Sequence, residues 1–250
     1  MSPWRLEYLR LTRTKKWLAL VVVYVGFGLV GPLTARYIKE ILSSAGTSDG
    51  MVITVPDPTP ADGMVQFASN AAQIGTLVVV IVAAGALAFD AIPEMGVFLR
   101  TRVIPAWRIL VPRVVVSFLA AAGAFLLGTG VAWYETWALI GAPKPAPALA
   151  GAALGVVFLA FVVALTAAVA QRMRSVLSTV MTSLVALIAM PLLGLSPAIA
   201  RWLPTSLANA LADLPSGGTM HDYWPALGVS VVATALLVWA AFAWAGRREA

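Results

Sequence analysis

Long apolar runs alternate with short stretches rich in charge, proline or glycine along the whole chain. Six runs, at 17–33, 70–89, 109–131, 149–170, 176–195 and 225–245, reach the length needed to cross roughly 30 Å of hydrocarbon, and none carries an ionisable residue near its centre. The pattern predicts an all-α integral membrane protein, one transmembrane domain of six helices over 1–250.

Before the first run lies PWRLEYLRLTRTKKW, in which Trp4, Tyr8 and Leu11 fall at helical spacing while Arg10, Arg13 and Lys16 lie on other faces. This predicts an amphipathic helix over 3–16 lying in the membrane interface, its aromatics anchored and its basic ends reaching lipid headgroups. An ordinary basic flank of a span is the competing reading. A secretory signal is disfavoured because no clear small-residue cleavage site precedes a soluble domain.

The connections have different characters. Residues 34–69, with TSDGMVITVPDPTPADG, are too polar to span and too long for a tight turn, which predicts a partly ordered external loop. Residues 132–148 make a proline-rich external turn, and Gln171–Ser175 makes a tight basic one. Residues 196–224, broken by Pro197, Pro204 and Pro215, hold apolar helices too short to cross, as expected of an interfacial or re-entrant segment. Gly26 to Gly31 spells G-x-G-x-x-G, but inside a span it has no βαβ context, so close helix packing is the sensible reading. Gly151 and Gly155 form a small-xxx-small pair suited to the same use.

Composition narrows the class further. Hydrophobic residues make up 60% of the chain and charged ones 11%, which excludes an ordinary soluble domain. The net charge of +6 comes from basic residues that flank apolar runs, so it points to the membrane surface and lipid, with no nucleic acid. No cysteine is present and there is a single histidine, which argues against thiolate, zinc or haem sites. Six spans put both termini on one side; 13 of the 17 Lys and Arg fall there, leaving Arg36, Lys39, Lys144 and Arg201 opposite. The positive-inside rule makes the termini cytoplasmic in the plasma membrane.

Catalysis finds little support. His221 sits beside Asp222 in an external loop, which suits a solvated residue better than a buried hydrolase base. Lys15, Lys16, Lys39 and Lys144 do not follow glycine, so the phosphate-cradling Gly-Lys pair of an ATPase is missing. An enzyme is therefore not expected, no cofactor is expected in this chain, and any transport would draw its energy from a separate subunit.

The stretch between the second and third runs, DAIPEMGVFLRTRVIPAWRILVPR, cannot sit in hydrocarbon and is read as a cytoplasmic loop at 90–108 leading into the next span. Here the chain resembles the permease subunit of the type-2 ATP-binding-cassette (ABC) exporters. In that family an acidic residue precedes Glu-x-Gly, apolar residues and a Pro-x-x-Arg segment with a basic residue near the next span. The matching positions are Asp90, Glu94, Gly96, Phe98, Leu99, Arg100, Pro105, Arg108 and Arg113. Val97 stands where a hydroxyl residue is usual, Pro93 precedes Glu94, and Arg113 replaces a lysine.

The resemblance implies two permease chains assembled with two ATPase chains that bind ATP and Mg. The 90–113 loop would seat a coupling helix on the ATPase, Phe98 and Leu99 as apolar anchor and Arg100, Arg102 and Arg108 pairing with acidic residues or lipid phosphates. Arg172 and Arg174 would make a smaller second contact, and the N-terminal helix would rest on the same ATPase. Uncharged spans favour a hydrophobic or amphipathic cargo. The rival reading is a membrane scaffold or sensor that moves no solute; a lipid-modifying enzyme lacks a catalytic cluster.

Overall fold

The computed structural model describes residues 2–45, 56–88, 107–173 and 175–247. Among them the protein is all-α, with no strand, and six helical stretches are long and apolar enough to cross a membrane. The chain opens with α1 (Pro3–Arg13), capped by Ser2, whose hydroxyl accepts from the Arg5 N–H at 3.4 Å, with proline in its first turn. Lys15 takes a left-handed conformation (φ 55°), which ends α1 and redirects the chain into α2 (Lys16–Arg36).

The expected external loop at 34–69 is largely helical where it is described. A short α3 (Ile38–Ala45) follows α2, and α4 (Pro60–Asn70) continues through one wide π-helical turn, Ala71–Gly75, into α5 (Thr76–Leu87). The second span thus begins ten residues before the expected 70. Pro60 and Asp62, read as turn formers, serve instead as a first-turn proline and a capping carboxylate that accepts from the Thr59 N–H at 2.7 Å. Lys39 donates to Asp57 at 2.5 Å and holds that exposed carboxyl below the usual range.

The third span, α6 (Trp107–Leu139), and the fourth, α7 (Pro145–Ala170), likewise consume most of the expected turn at 132–148 and leave only residues 140–144 between them. Pro145 opens α7, again as a first-turn residue. Then come α8 (Val176–Leu193), capped by Ser175; the broken segment, with α9 (Pro197–Ala200), α10 (Ser206–Asp213) and a 3₁₀ turn (Met220–Tyr223); and α11 (Trp224–Arg247). The broken segment expected before the last span is present, and His221 lies exposed in its 3₁₀ turn.

Almost all of α7 is buried along one side, and it packs against α5, α6, α8, α10 and α11 at the centre of the bundle. The tightest seam joins α2 to α6. A Cβ on Gly28 would lie 2.7 Å from the Gly128 carbonyl oxygen, and one on Gly128 would lie 2.6 Å from the Tyr24 carbonyl oxygen, so backbone touches backbone. Gly151 makes the same kind of approach to Leu211 of α10, and Gly155 to the Phe125 ring, which places both glycines of the small-residue pair at packing surfaces. A second apolar cluster of Leu87, Leu110, Ala170 and Ala245 gathers the ends of α5, α7 and α11 with the start of α6. That cluster marks the end of the bundle at which α11 finishes, called the terminal end below.

Gly128→Leu should separate α2 from α6 and lower the midpoint of thermal unfolding in detergent by several degrees, since overpacking of this kind costs about 1–3 kcal/mol. The same change at Gly123, where nothing lies within 4 Å of an added Cβ, should leave the midpoint unchanged.

Candidate functional site

Two features stand out, one at the terminal end and one in the opposite half. At the terminal end, α1 turns a carboxylate inward. Glu7 is the buried residue of this helix, while Trp4 and Tyr8 point outward and Leu11 is half-buried. The sequence pattern did not reveal the inward pole, because a lone glutamate among arginines reads as a surface residue.

Glu7 Oε1 accepts from Arg113 Nε at 2.6 Å, and both side chains are about nine-tenths buried. Its other oxygen accepts from Arg10 Nη1 at 3.3 Å. Arg10 also donates to the Ala86 carbonyl at 3.0 Å and to the Gly85 carbonyl. Those carbonyls belong to the last turn of α5, where helix dipoles leave partial negative charge, so a cation is well placed there. Lys16 reaches the same turn, its Nζ 2.7 Å from where a Gly85 Cβ would be. One carboxylate and two arginines therefore tie α1 to the end of α5 and to the first turns of α6, with Lys16 of α2 close by.

These two ends flank the 90–108 loop. Asp90, Glu94, Gly96, Phe98, Leu99, Arg100, Arg102 and Pro105 lie outside the described residues, as does Arg174. Of the loop residues named from the sequence, Arg108 and Arg113 are described, and both stand inside α6. Arg108 is exposed, its guanidinium 5.4 Å from the Trp107 ring. Arg113, named with the coupling loop as the basic residue near the start of the third span, is buried against Glu7, because at the seventh position of α6 it has already turned into the bundle. Arg172 lies 4.9 Å from the ring of Trp244, which fastens the tight basic turn to the end of α11.

In the half remote from the terminal end, a cavity of about 820 Å³ opens between the π-helical turn, α7, α8 and the α9–α10 segment. Leu77, Phe158, Leu187 and Leu203 supply apolar walls, and Gln73, Thr76, Thr205 and Asn209 supply polar groups. No Asp, Glu, Lys, Arg or His is among the described lining residues. A mostly apolar hollow of this size with a few neutral polar groups suits an uncharged or amphipathic organic molecule. The sequence pattern could not locate it, since Gln73 and Thr76 look like isolated polar residues at a helix start.

The chain is 25% identical over 210 residues, 83% of its length, to the uncharacterized transmembrane protein YxlG of Bacillus subtilis (strain 168), of which the match covers 81%. No family model matches, and no solved structure gives a significant match. With its six apolar helices, the chain is a multi-pass transmembrane protein.

Removing Glu7 alone takes the ion-pair carboxylate away from the buried Arg113, a loss of about 3–5 kcal/mol for a buried pair. Glu7→Ala should thus free α1 and speed tryptic cleavage at Arg10, Arg13 and Lys15 by roughly 100-fold or more, as a 3 kcal/mol shift requires. The paired change Glu7→Leu with Arg113→Met should restore much of the protection, as read by mass spectrometry of the released fragments.

Proposed function

We propose that the protein is the membrane-spanning permease subunit of an ATP-driven exporter, working as a dimer with separate ATPase chains that bind ATP and Mg. The termini and the 90–108 loop face the cytoplasm, as the excess of basic residues on that side requires. The cargo is a hydrophobic or amphipathic molecule that occupies the cavity of α5, α8 and α10.

The observation that carries this reading is mechanical continuity. Arg10 grips the last turn of α5 beside the loop, and α5 runs unbroken from there to the π-helical turn that walls the cavity. Twelve residues of helix make a rod of about 18 Å. A push on the loop is therefore delivered to the cavity wall, and the π-helical turn, with its looser hydrogen bonding, is where the rod can pivot. Ile188 and Leu192 line the cavity and remain about 65% exposed in the single chain, so a second copy seated along α8 closes it. Arg100, Arg102 and exposed Arg108 would meet acidic partner residues, while Arg113 serves to anchor.

Inside-out vesicles from cells expressing the protein with its ATPase should accumulate an amphipathic dye only when ATP and Mg are supplied. The paired change Arg100→Glu and Arg102→Glu should leave the chain inserted but abolish both ATPase co-purification and dye uptake. Dye movement indifferent to nucleotide, or a chain that always purifies without an ATPase, would instead favour a scaffold or sensor.

A further inference from the structure

Tyr24 is fully buried, yet among the described residues its hydroxyl has no hydrogen-bond partner. A buried hydroxyl left unpaired is costly, which makes this group an unusual thing to keep in an apolar bundle. Its ring stands edge-on to Phe125, centroids 5.6 Å apart, and approaches the π-helical turn closely because Gly75 offers no side chain: an added Cβ would be 2.7 Å from Tyr24 Cε1.

Beside Tyr24 is a recess of about 20 Å³ that Thr76, Ala71 and Phe158 also wall. Roughly 10–15 Å³ suffices for one water-sized oxygen. Four of the recess walls, Ala72, Thr76, Phe158 and Ala208, are also walls of the 820 Å³ cavity, so the recess adjoins its inner side. The Thr76 hydroxyl is 3.5 Å from the Ala71 carbonyl, a long contact that leaves its oxygen free to accept from elsewhere.

We propose that this recess is a hydroxyl-binding subsite, which takes the single oxygen of an uncharged amphipathic ligand whose apolar body fills the adjoining cavity. The ligand oxygen accepts from the Tyr24 O–H and donates its own proton to Thr76 Oγ1, so the pairing is complete on both sides. A charged head is refused, since the recess holds one oxygen and no counter-ion lines it. The ligand class is therefore long-chain alcohols and neutral lipids bearing a free hydroxyl. The proposal rests on the reading of the cavity as the cargo site, and it adds which end of the cargo enters first.

The test uses the full chain in lipid nanodiscs without ATPase or nucleotide, photolabelled with an octanol carrying a diazirine on its third carbon. Adducts are expected on residues around the recess mouth, Gln73, Thr76 and Phe158. At equal mole fraction in the lipid, octan-1-ol should suppress them and octane should not. Tyr24→Phe should weaken the suppression by about 3- to 10-fold, the usual worth of one neutral hydrogen bond. Adducts in the cavity that octane suppresses as well as octanol would overturn the subsite while leaving the cargo cavity standing. Adducts scattered over the lipid-facing side of α8 would overturn both. The octanol and octane comparison needs no variant, so a Tyr24→Phe chain that fails to fold does not protect the proposal.

Discussion

A single carboxylate holds the terminal end of this protein together. Glu7 faces Arg113 and Arg10 at once, from an N-terminal helix with no other carboxylate to offer. Burying two opposite charges gains little over burying apolar groups of the same shape, but once they are buried neither can be withdrawn alone. The pair therefore acts less as a source of stability than as a constraint on position. It sets α1 against α6 across 106 residues of sequence, and Arg10 extends the constraint to the carbonyls that end α5.

That arrangement gives the bundle a stiff end and a yielding half. At the stiff end, α5, α6, α7 and α11 converge on small apolar residues, with Arg172 over Trp244 closing the far side. In the other half, the chain departs from regular helix at the π-helical turn, at Pro191 near the end of α8 and through the α9–α10 segment, and the large cavity lies among these departures. Irregular backbone at membrane depth is tolerated where it borders a hollow or is covered by protein. Shape change in the remote half thus costs less than in the clasped end, and α5 connects the two.

Much of the fold was legible in hydropathy alone, because spans must be apolar over a length that the bilayer dictates. All six were found, and so was the interrupted stretch before the last. Their outer limits were not, and the errors share a cause. Thr59, Pro60, Asp62 and Pro145 carry signals that turns and helix starts have in common, and sequence alone reads them as turns. Glycine packing was visible as a pattern at Gly26 to Gly31 and at Gly151 and Gly155, yet Gly26 meets nothing while Gly28 meets Gly128. The clasp was invisible for a different reason: nothing local in Glu7 or Arg113 reports a partner more than a hundred residues away. Tyr24 and Thr76 were hidden likewise, since only folding shows that one hydroxyl lacks a partner among the described residues and that the other lines the same recess.

The contact of α2 with α6 through Gly28 and Gly128 has a consequence for time as well as shape. Where two helices meet backbone on backbone, as at Gly28 and Gly128, few side chains can change rotamer, so the seam has little soft coordinate along which to creep. It moves as one body or it separates altogether. Its companion α8 presents flexible leucines and isoleucines along its length, and those can repack on the fast timescale of side-chain rotation. The protein thus carries a slow, all-or-none joint and a fast, graded one on either side of α7, and any cycle it performs inherits its clock from the first and its adaptability from the second.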